Sequence, residues 1–244
     1  MFPLAVISDI HGNRWALEAV LEDIEKRWIA DIVNLGDILY GPLDPSGTAE
    51  LLMNYSIPTV YGNQDRILFD TPDPGNERLV QVRGQLSADQ IEWLKTFPFS
   101  DCMCDVLLFH GTPSSDSEYL VYKVDEAGIS FRSNDDYEML LAEKEKKLFL
   151  CGHDHKPNII QLNNGKTIIN PGSVGLQAYD DDEPSFHIIE NGSPHARYAI
   201  IDETENGYLA EFITVNYDYK TASEIAFKNG REDWAHWLKT GRVK

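Results

Sequence analysis

Seven side chains suited to holding cations stand at the ends of short apolar runs: Asp9 and His11 after residues 4–8, Asp37 within 32–41, Asn63 after 59–61, His110 after 106–109, and His153 and His155 after 148–151. Two carboxylates, four imidazoles and one carboxamide offer oxygen and nitrogen donors without a thiolate. That set suits manganese, iron, cobalt, nickel or zinc, and argues against a structural zinc site. Asp37 is central, because an apolar run that stops at a glycine and then a carboxylate leaves that carboxylate at the rim of a sheet, open to solvent and ligand. Gly36, Gly62, Gly111 and Gly152 flank these positions and allow tight turns around an ion or phosphate. A lone Asp-x-His turn is more often a cap or a hydrogen-bonded pair. Five such endings, holding four of the chain's seven histidines, favour one shared site instead.

Side chains so far apart meet only if something brings the run ends together, as parallel strands do along one edge of an open sheet. Residues 4–7 read as a buried strand, 9–12 as its turn, and Asn13 as the start of a helix carrying Trp15, Ala19, Val20, Ile24 and Trp28 at roughly helical spacing. A second strand is expected at 32–35, a helix at 48–55 and a third strand after Pro58, which predicts βαβ units with right-handed crossovers. Residues 69–84, rich in Pro, Gly, Asp and Asn, predict a surface loop beside the site. Ser87 and Gln90 form a capping-box pattern before Ile91, Trp93 and Leu94. Further expectations are a hairpin edge over 97–105, irregular chain over 112–134, helix over 136–147, and a hairpin of 159–162 with 167–169. The acidic stretch 179–184 reads as a solvated loop, 198–202 with 208–215 as a strand pair, and 221–238 as a terminal helix. With no repeat, low-complexity tract or convincing linker, one domain over 1–244 is expected.

The totals limit the partners. Hydrophobic residues at 42% and aromatics at 11% are globular values. The balance of 21 basic against 40 acidic residues, a net −19, opposes docking on long nucleic acids or an anionic membrane. A small anion is still accommodated where metal ions reverse the local sign. No signal-like segment precedes residue 4 and no run approaches the roughly 18 apolar residues of a span, so a soluble, cytoplasmic protein is expected. Cys102, Cys104 and Cys151 read as small apolar fillers, not a disulfide framework.

The ordered set Asp9-x-His11, Gly36-Asp37, Gly62-Asn63-x-Asp65, His110-Gly111 and Gly152-His153-x-His155 resembles the calcineurin-like metallophosphoesterase family over residues 4–175, with a tail similar to its small bacterial and archaeal members. The resemblance implies an α/β fold, a four-layer α/β/β/α sandwich of two mixed β-sheets flanked by helices, with the site at the strand ends. It implies one metal on Asp9, His11, Asp37 and His155, and another on Asp37, Asn63, His110 and His153. Asp37 would bridge two divalent ions about 3.5–4 Å apart, manganese first, with iron, nickel, cobalt or zinc as alternatives. Asp37, Asn63, Asp65 and His110 become the expected catalytic residues, serving in-line attack on phosphorus by a hydroxide shared between the metals.

Asn13, Gln64 and Arg66 are the expected substrate contacts. Asn13 reads equally as a helix cap, and Arg66 as a partner in a structural ion pair. Many family members carry histidine as a general acid where this chain has Gln64. General acid catalysis contributes roughly 10²–10⁴-fold, and an amide is a poor proton donor. The departure predicts a preference for phosphoanhydrides and aryl diesters over alkyl monoesters, unless Asp65 or a metal-bound water replaces the acid. Asp154 is expected outward-facing or behind the ligands, and His187, His195 and His236 are expected to be structural. The leading function is a two-metal phosphoric ester hydrolase acting on a small phosphorylated, nucleotide-like substrate such as a dinucleoside polyphosphate. The alternatives are a serine/threonine protein phosphatase and an inert scaffold of the same fold.

Overall fold

A computed structural model describes residues 2–70, 75–142 and 144–244. Strand β1 (Leu4–Ile7) is wholly buried and leads into α1 (Arg14–Lys26), where the Asn13 side chain accepts from the Ala16 amide. Strand β2 (Asp31–Asn34) pairs parallel with β1. Helix α2 (Pro45–Leu52) begins three residues before the expected 48, because Asp44 caps it and proline takes the first turn, where its missing N–H costs nothing. The strand expected at 59–61 reduces to one parallel bridge between Thr59 and Asn34. Helices α3 (Asn63–Asp70) and α4 (Glu77–Arg83) occupy much of the stretch read as a loop, with α4 capped by Asn76. Residues 71–74 of that stretch lie outside the described residues. Helix α5 (Ala88–Leu94) starts with the Ser87–Gln90 capping box.

Strands β3 (Ser100–Met103) and β4 (Val106–Phe109) form the expected hairpin. The stretch read as irregular contains a second one, β5 (Tyr122–Asp125) with β6 (Gly128–Phe131). Helix α6 (Asn134–Leu140) ends earlier than expected, leaving a short link to β7 (Leu148–Leu150). Strands β8 (Asn158–Gln161) and β9 (Thr167–Asn170) pair as anticipated. Half of the acidic stretch is not loop: β10 (Ala178–Asp181) pairs antiparallel with β11 (His187–Glu190). Strands β12 (Ala196–Thr204) and β13 (Gly207–Val215) form the expected pair. The terminal helix is two helices, α7 (Tyr219–Lys228) and α8 (Glu232–Thr240), separated at Gly230, whose φ of 75° lies in the left-handed region.

Two mixed sheets result, ordered β13-β12-β1-β2 and β3-β4-β7-β9-β8. Alternation along β1 decides the layers. Leu4 and Val6 meet Val106, Leu108, Leu148 and Leu150 between the sheets. Ala5 and Ile7 face the other way, into a core completed by Leu17 and Val20 of α1, Ala222 of α7 and Trp234 of α8. The outer face of the second sheet, with Phe109, Phe149 and Ile168, is covered by Tyr137 of α6, by Leu141 and by Tyr122 of β5. The architecture is the α/β/β/α sandwich that the resemblance implies. Truncating Leu108 or Leu150 to alanine in the central layer would cost about 2–5 kcal/mol, enough to disturb both sheets that position the turns. Among the described residues, no helix is long and apolar enough to cross a membrane.

Candidate metal centre

The parallel pairs β1–β2 and β4–β7 belong to different sheets. The turns after all four strands nevertheless close on one another: within the sheets the Asp9 and His11 amides donate to the Gly36 and Asp37 carbonyls (both 2.9 Å) and the Gly152 amide to the His110 carbonyl (2.8 Å). Between the sheets the His153 amide donates to the Asp9 carboxylate (3.2 Å) and His110 Nδ1 to the Leu35 carbonyl (2.7 Å). The expectation of a single open sheet is therefore corrected, and the site lies where the two sheets meet. Residues 170–175 brace it, with the Ser173 hydroxyl (2.8 Å) and the Gly175 amide (2.9 Å) both donating to the Asp9 carbonyl.

Backbone strain collects in these turns. Among the described residues, seven non-glycine positions have positive φ, and five of them are Asp9, His11, Asp37, His153 and His155. Such conformations cost on the order of 1 kcal/mol each and persist where surrounding contacts impose them, commonly at functional sites. Gly62 is needed for close approach, because a β-carbon there would collide with the Asp37 carboxylate.

Ligand-type atoms of Asp9, His11 and His155 all lie within 4.8 Å of one another, as do those of Asp37, His110 and His153. Asp37 faces both groups, its Oδ2 3.4 Å from His110 Nε2 and 3.9 Å from His11 Nε2. Its Oδ1 accepts the Gln64 amide at 2.8 Å. The imidazoles are pre-aimed. Nδ1 of His11, His110 and His155 lies 3.0, 2.7 and 2.8 Å from the carbonyls of Tyr40, Leu35 and Leu176. A carbonyl only accepts, so each Nδ1 carries the proton and each Nε2 turns a lone pair into the cage. His11 Nε2 and His155 Nε2 face each other at 3.2 Å. Two neutral rings in these tautomers would set lone pair against lone pair, an arrangement that a cation resolves. The buried His110 Nε2 and Asn63 Oδ1 have no hydrogen-bond partner among the described residues. Inward lone pairs, two carboxylates and an orphaned amide oxygen fit divalent cations.

The charges agree with this. Burial disfavours the charged form of His110, but Asp37 and Asp9 outweigh it and raise the ring to about 10. Burial and the neighbouring His110 push His153 down to about 4. Asp9 is held well below the carboxylate range: burial acts the other way, but His155, His110 and His11 prevail. Without metal, a proton on His110 thus neutralises part of the carboxylate charge, and a metal cation competes with it.

The other residues singled out from the sequence take different places. Gln64 lines the cleft beside Asn63. Asp65 is buried behind the cage, accepting from the Ile38 (2.8 Å) and Gly62 (3.0 Å) amides, so it braces two turns and does not line the cleft. Burial and the nearby Asp37 raise it to about 7. Arg66 makes a bidentate pair with Asp116, its structural reading. Asn13 gives its amide hydrogens to the Gly175 carbonyl and the Tyr217 hydroxyl, and its oxygen to the Ala16 amide. With its hydrogens committed and its side chain buried, Asn13 acts as a cap and not as a phosphate contact. Asp154 does not face outward: it is fully buried, and burial pushes its carboxyl well above the ordinary range.

Aromatic walls went unread in the sequence. Tyr119 and Tyr179 share a 2.6 Å hydroxyl contact and pack their rings 4.7 Å from those of His153 and His155, respectively. His187 supports them. Its Nδ1 donates to the Ser185 carbonyl at 2.9 Å, so in the neutral ring Nε2 accepts the Tyr119 hydroxyl at 2.8 Å. Trp234 of α8 sets its ring edge-on to His11, with centroids 5.8 Å apart. Tyr119 and Tyr179 stand in stretches read as irregular or loop and carry no spacing signal, while Trp234 falls on the apolar side of the expected terminal helix, where spacing reads as packing and not as a wall of the site.

A sequence profile of the calcineurin-like phosphoesterase superfamily domain matches residues 2–193. An uncharacterized protein of Methanocaldococcus jannaschii is 28% identical, the match covering 95% of this chain and 94% of that protein. The crystal structure of a metallophosphoesterase from Sphaerobacter thermophilus is similar with a TM-score of 0.73 at 24% identity, over 98% of both chains. That of a hypothetical protein from Pyrococcus horikoshii has a TM-score of 0.74 at 20% identity, again over 98% of both. These two likenesses show the fold, and the profile match over most of the chain shows the family. The protein belongs to the calcineurin-like phosphoesterase superfamily and is a metal-dependent phosphoester hydrolase.

Proposed function

We propose that the chain hydrolyses small nucleotide-like phosphodiesters or phosphoanhydrides, dinucleoside polyphosphates among them. Two divalent cations, manganese first, would be held by Asp9, His11, Asp37 and His155 on one side and by Asp37, Asn63, His110 and His153 on the other. When bound, such cations supply Lewis acidity, lowering the pKa of water and drawing charge from phosphoryl oxygens. The protein's part is positioning. Asp37 faces both ligand groups, the carbonyls of Tyr40, Leu35 and Leu176 fix three imidazoles, and Asn63 adds a donor without adding charge. Two carboxylates against two divalent ions leave a local positive surplus, which draws phosphate in despite the net −19. Exposed, unpaired Cys102 and Cys104 suit a reducing compartment and support action in the cytoplasm. The unit we assign this activity is a single domain over residues 1–244.

One observation carries the substrate class. The cage sits where two cavities join. A cleft of about 250 Å³ holds His11, Asp37 and His155. A neighbouring cavity of about 690 Å³, walled by Tyr122, Lys123 and Arg132, shares Asn63, Tyr119 and His153 with it. A diester or anhydride needs room on both sides of phosphorus, whereas a monoester needs it on one. Hydrolysis with added manganese should be measured on bis(p-nitrophenyl) phosphate, dinucleoside polyphosphates, alkyl phosphomonoesters and a phosphoserine peptide. Turnover of the first two is expected to dominate; turnover confined to the monoesters and the peptide would instead support a protein phosphatase.

A further inference from the structure

On its other side the metal-centre cleft opens into a cavity of about 460 Å³, within the roughly 300–1,000 Å³ of small-molecule sites. Tyr40, Arg78 and Arg231 line both spaces. Arg78, Lys228 and Arg231 give this cavity three cations, and none of the described residues lining it is acidic, in a chain with 40 acidic residues. The net charge argues against such a cluster arising from composition alone.

Arg231 is already oriented. Its Nε and Nη2 bind the Asp233 carboxylate at 2.7–3.1 Å, and its guanidinium lies 5.2 Å from the Trp234 ring centroid. Nη1 has no hydrogen-bond partner among the described residues, so a fixed N–H edge is available to an anion. Arg78 and Lys228 make no side-chain hydrogen bond to described residues, although Asp233 feels the charge of Arg78. The cavity is held in shape by Asn229, which donates to the Pro42 carbonyl at 2.9 Å. Lys228 and Arg231 lie beyond residue 193, where the superfamily match ends, and join Arg78 from within it. Asp180, Asp181 and Asp233 line the metal-centre cleft but not this cavity, and Asp233 is already engaged by Arg231, so the cavity is the less acidic of the two spaces.

We propose that this basic cavity is a second anion subsite, binding a phosphate group of the substrate other than the one that is cleaved. The substrate class is then narrowed to molecules with at least two phosphates, such as nucleoside or dinucleoside polyphosphates, and this deepens the hydrolase reading on which it rests. Exposed charge contacts are individually weak, and removing two should weaken polyphosphate recognition by roughly tenfold. The test uses the full chain, its double variant Arg78→Ala/Lys228→Ala and the single Lys228→Ala. In the manganese-loaded proteins, the ratio of kcat/KM for a dinucleoside polyphosphate to that for bis(p-nitrophenyl) phosphate should fall at least fivefold in the double variant. In the chelator-treated proteins, where the metal centre cannot draw phosphate, titration calorimetry with inorganic tripolyphosphate should show binding to wild type that weakens about tenfold in the double variant. Tripolyphosphate binding that is absent from wild type, or equal in wild type and variants, overturns the subsite. An unchanged ratio does the same. Should no ester be turned over by any loaded protein, the hydrolase reading fails while the tripolyphosphate titration still decides the subsite.

Discussion

Asp37→Asn removes one charge from the place where the two ligand groups meet and keeps the shape of the side chain. The Gln64 amide can still donate to Oδ1, now at 2.8 Å, and the contact with Gly62 is unchanged, so the turns should survive. What is lost is the carboxylate whose Oδ2 lies 3.4 and 3.9 Å from the Nε2 atoms of His110 and His11. At about 4 Å and an effective dielectric near 20, one unit charge contributes about 4 kcal/mol, and about twice that toward a divalent ion. Water recovers part of this. If half remains lost, about 4 kcal/mol, affinity falls roughly a thousandfold. Metal content after dialysis and manganese titration calorimetry should therefore show the variant failing to hold the pair that wild type holds, with turnover of bis(p-nitrophenyl) phosphate falling with it. Circular dichroism in chelator should match wild type and so separate this loss from misfolding. A variant that holds two manganese ions at wild-type affinity would refute the sharing of Asp37.

Three further outcomes follow from the same geometry. Gln64→His should flatten the dependence of turnover on leaving-group pKa across a series of aryl and alkyl esters; equal dependence in both proteins would mean that another group already supplies the proton. Gly62→Ala should lower both the melting temperature and manganese affinity, because the new methyl must displace the Asp37 carboxylate; unchanged values would contradict the tight approach. For pH, the sign follows from His110, raised from an ordinary 6.5 to about 10 in the metal-free fold. Its contribution to stability is complete below about pH 6.5 and is lost as pH rises through about 10, so chelator-treated protein should lose on the order of a few kcal/mol between pH 7 and 10. The manganese-loaded protein should lose much less, and the comparison is read by denaturant unfolding at each pH.

The cage residues were legible because they cluster at five endings of apolar runs, each carrying a glycine (Gly12, Gly36, Gly62, Gly111 or Gly152) beside at least one of them, so strand assignment alone placed them at an edge. Their mutual geometry depends on pairing between two sheets, which no local pattern encodes. Partners distant in sequence decided the rest: Asn13 is tied to Gly175 and Tyr217, and Arg66 to Asp116, so neither was assignable from its neighbours. Composition misled at β10, where pairing with β11 prevails over two successive aspartates because Ala178 and Tyr179 pack inward while Asp180 and Asp181 point to solvent. It misled again at α4, where Asn76 in a loop-like stretch serves as a cap. The β5–β6 hairpin carries an alternating signal, Lys123 between Tyr122 and Val124 and Ser130 between Ile129 and Phe131, but each run is only four residues long and was passed over as irregular chain. The break at Gly230 was passed over because the apolar spacing of α7 and α8 continues across it. That break brings Arg231 and Trp234 to the cleft.

Anomalous diffraction from crystals grown with manganese tests the central claim most directly. Two peaks about 4 Å apart are predicted, one among Asp9, His11 and His155, the other among Asp37, His110 and His153 with Asn63 against it, and Asp37 reaching both. A single peak, or manganese bound only outside these side chains, would contradict it.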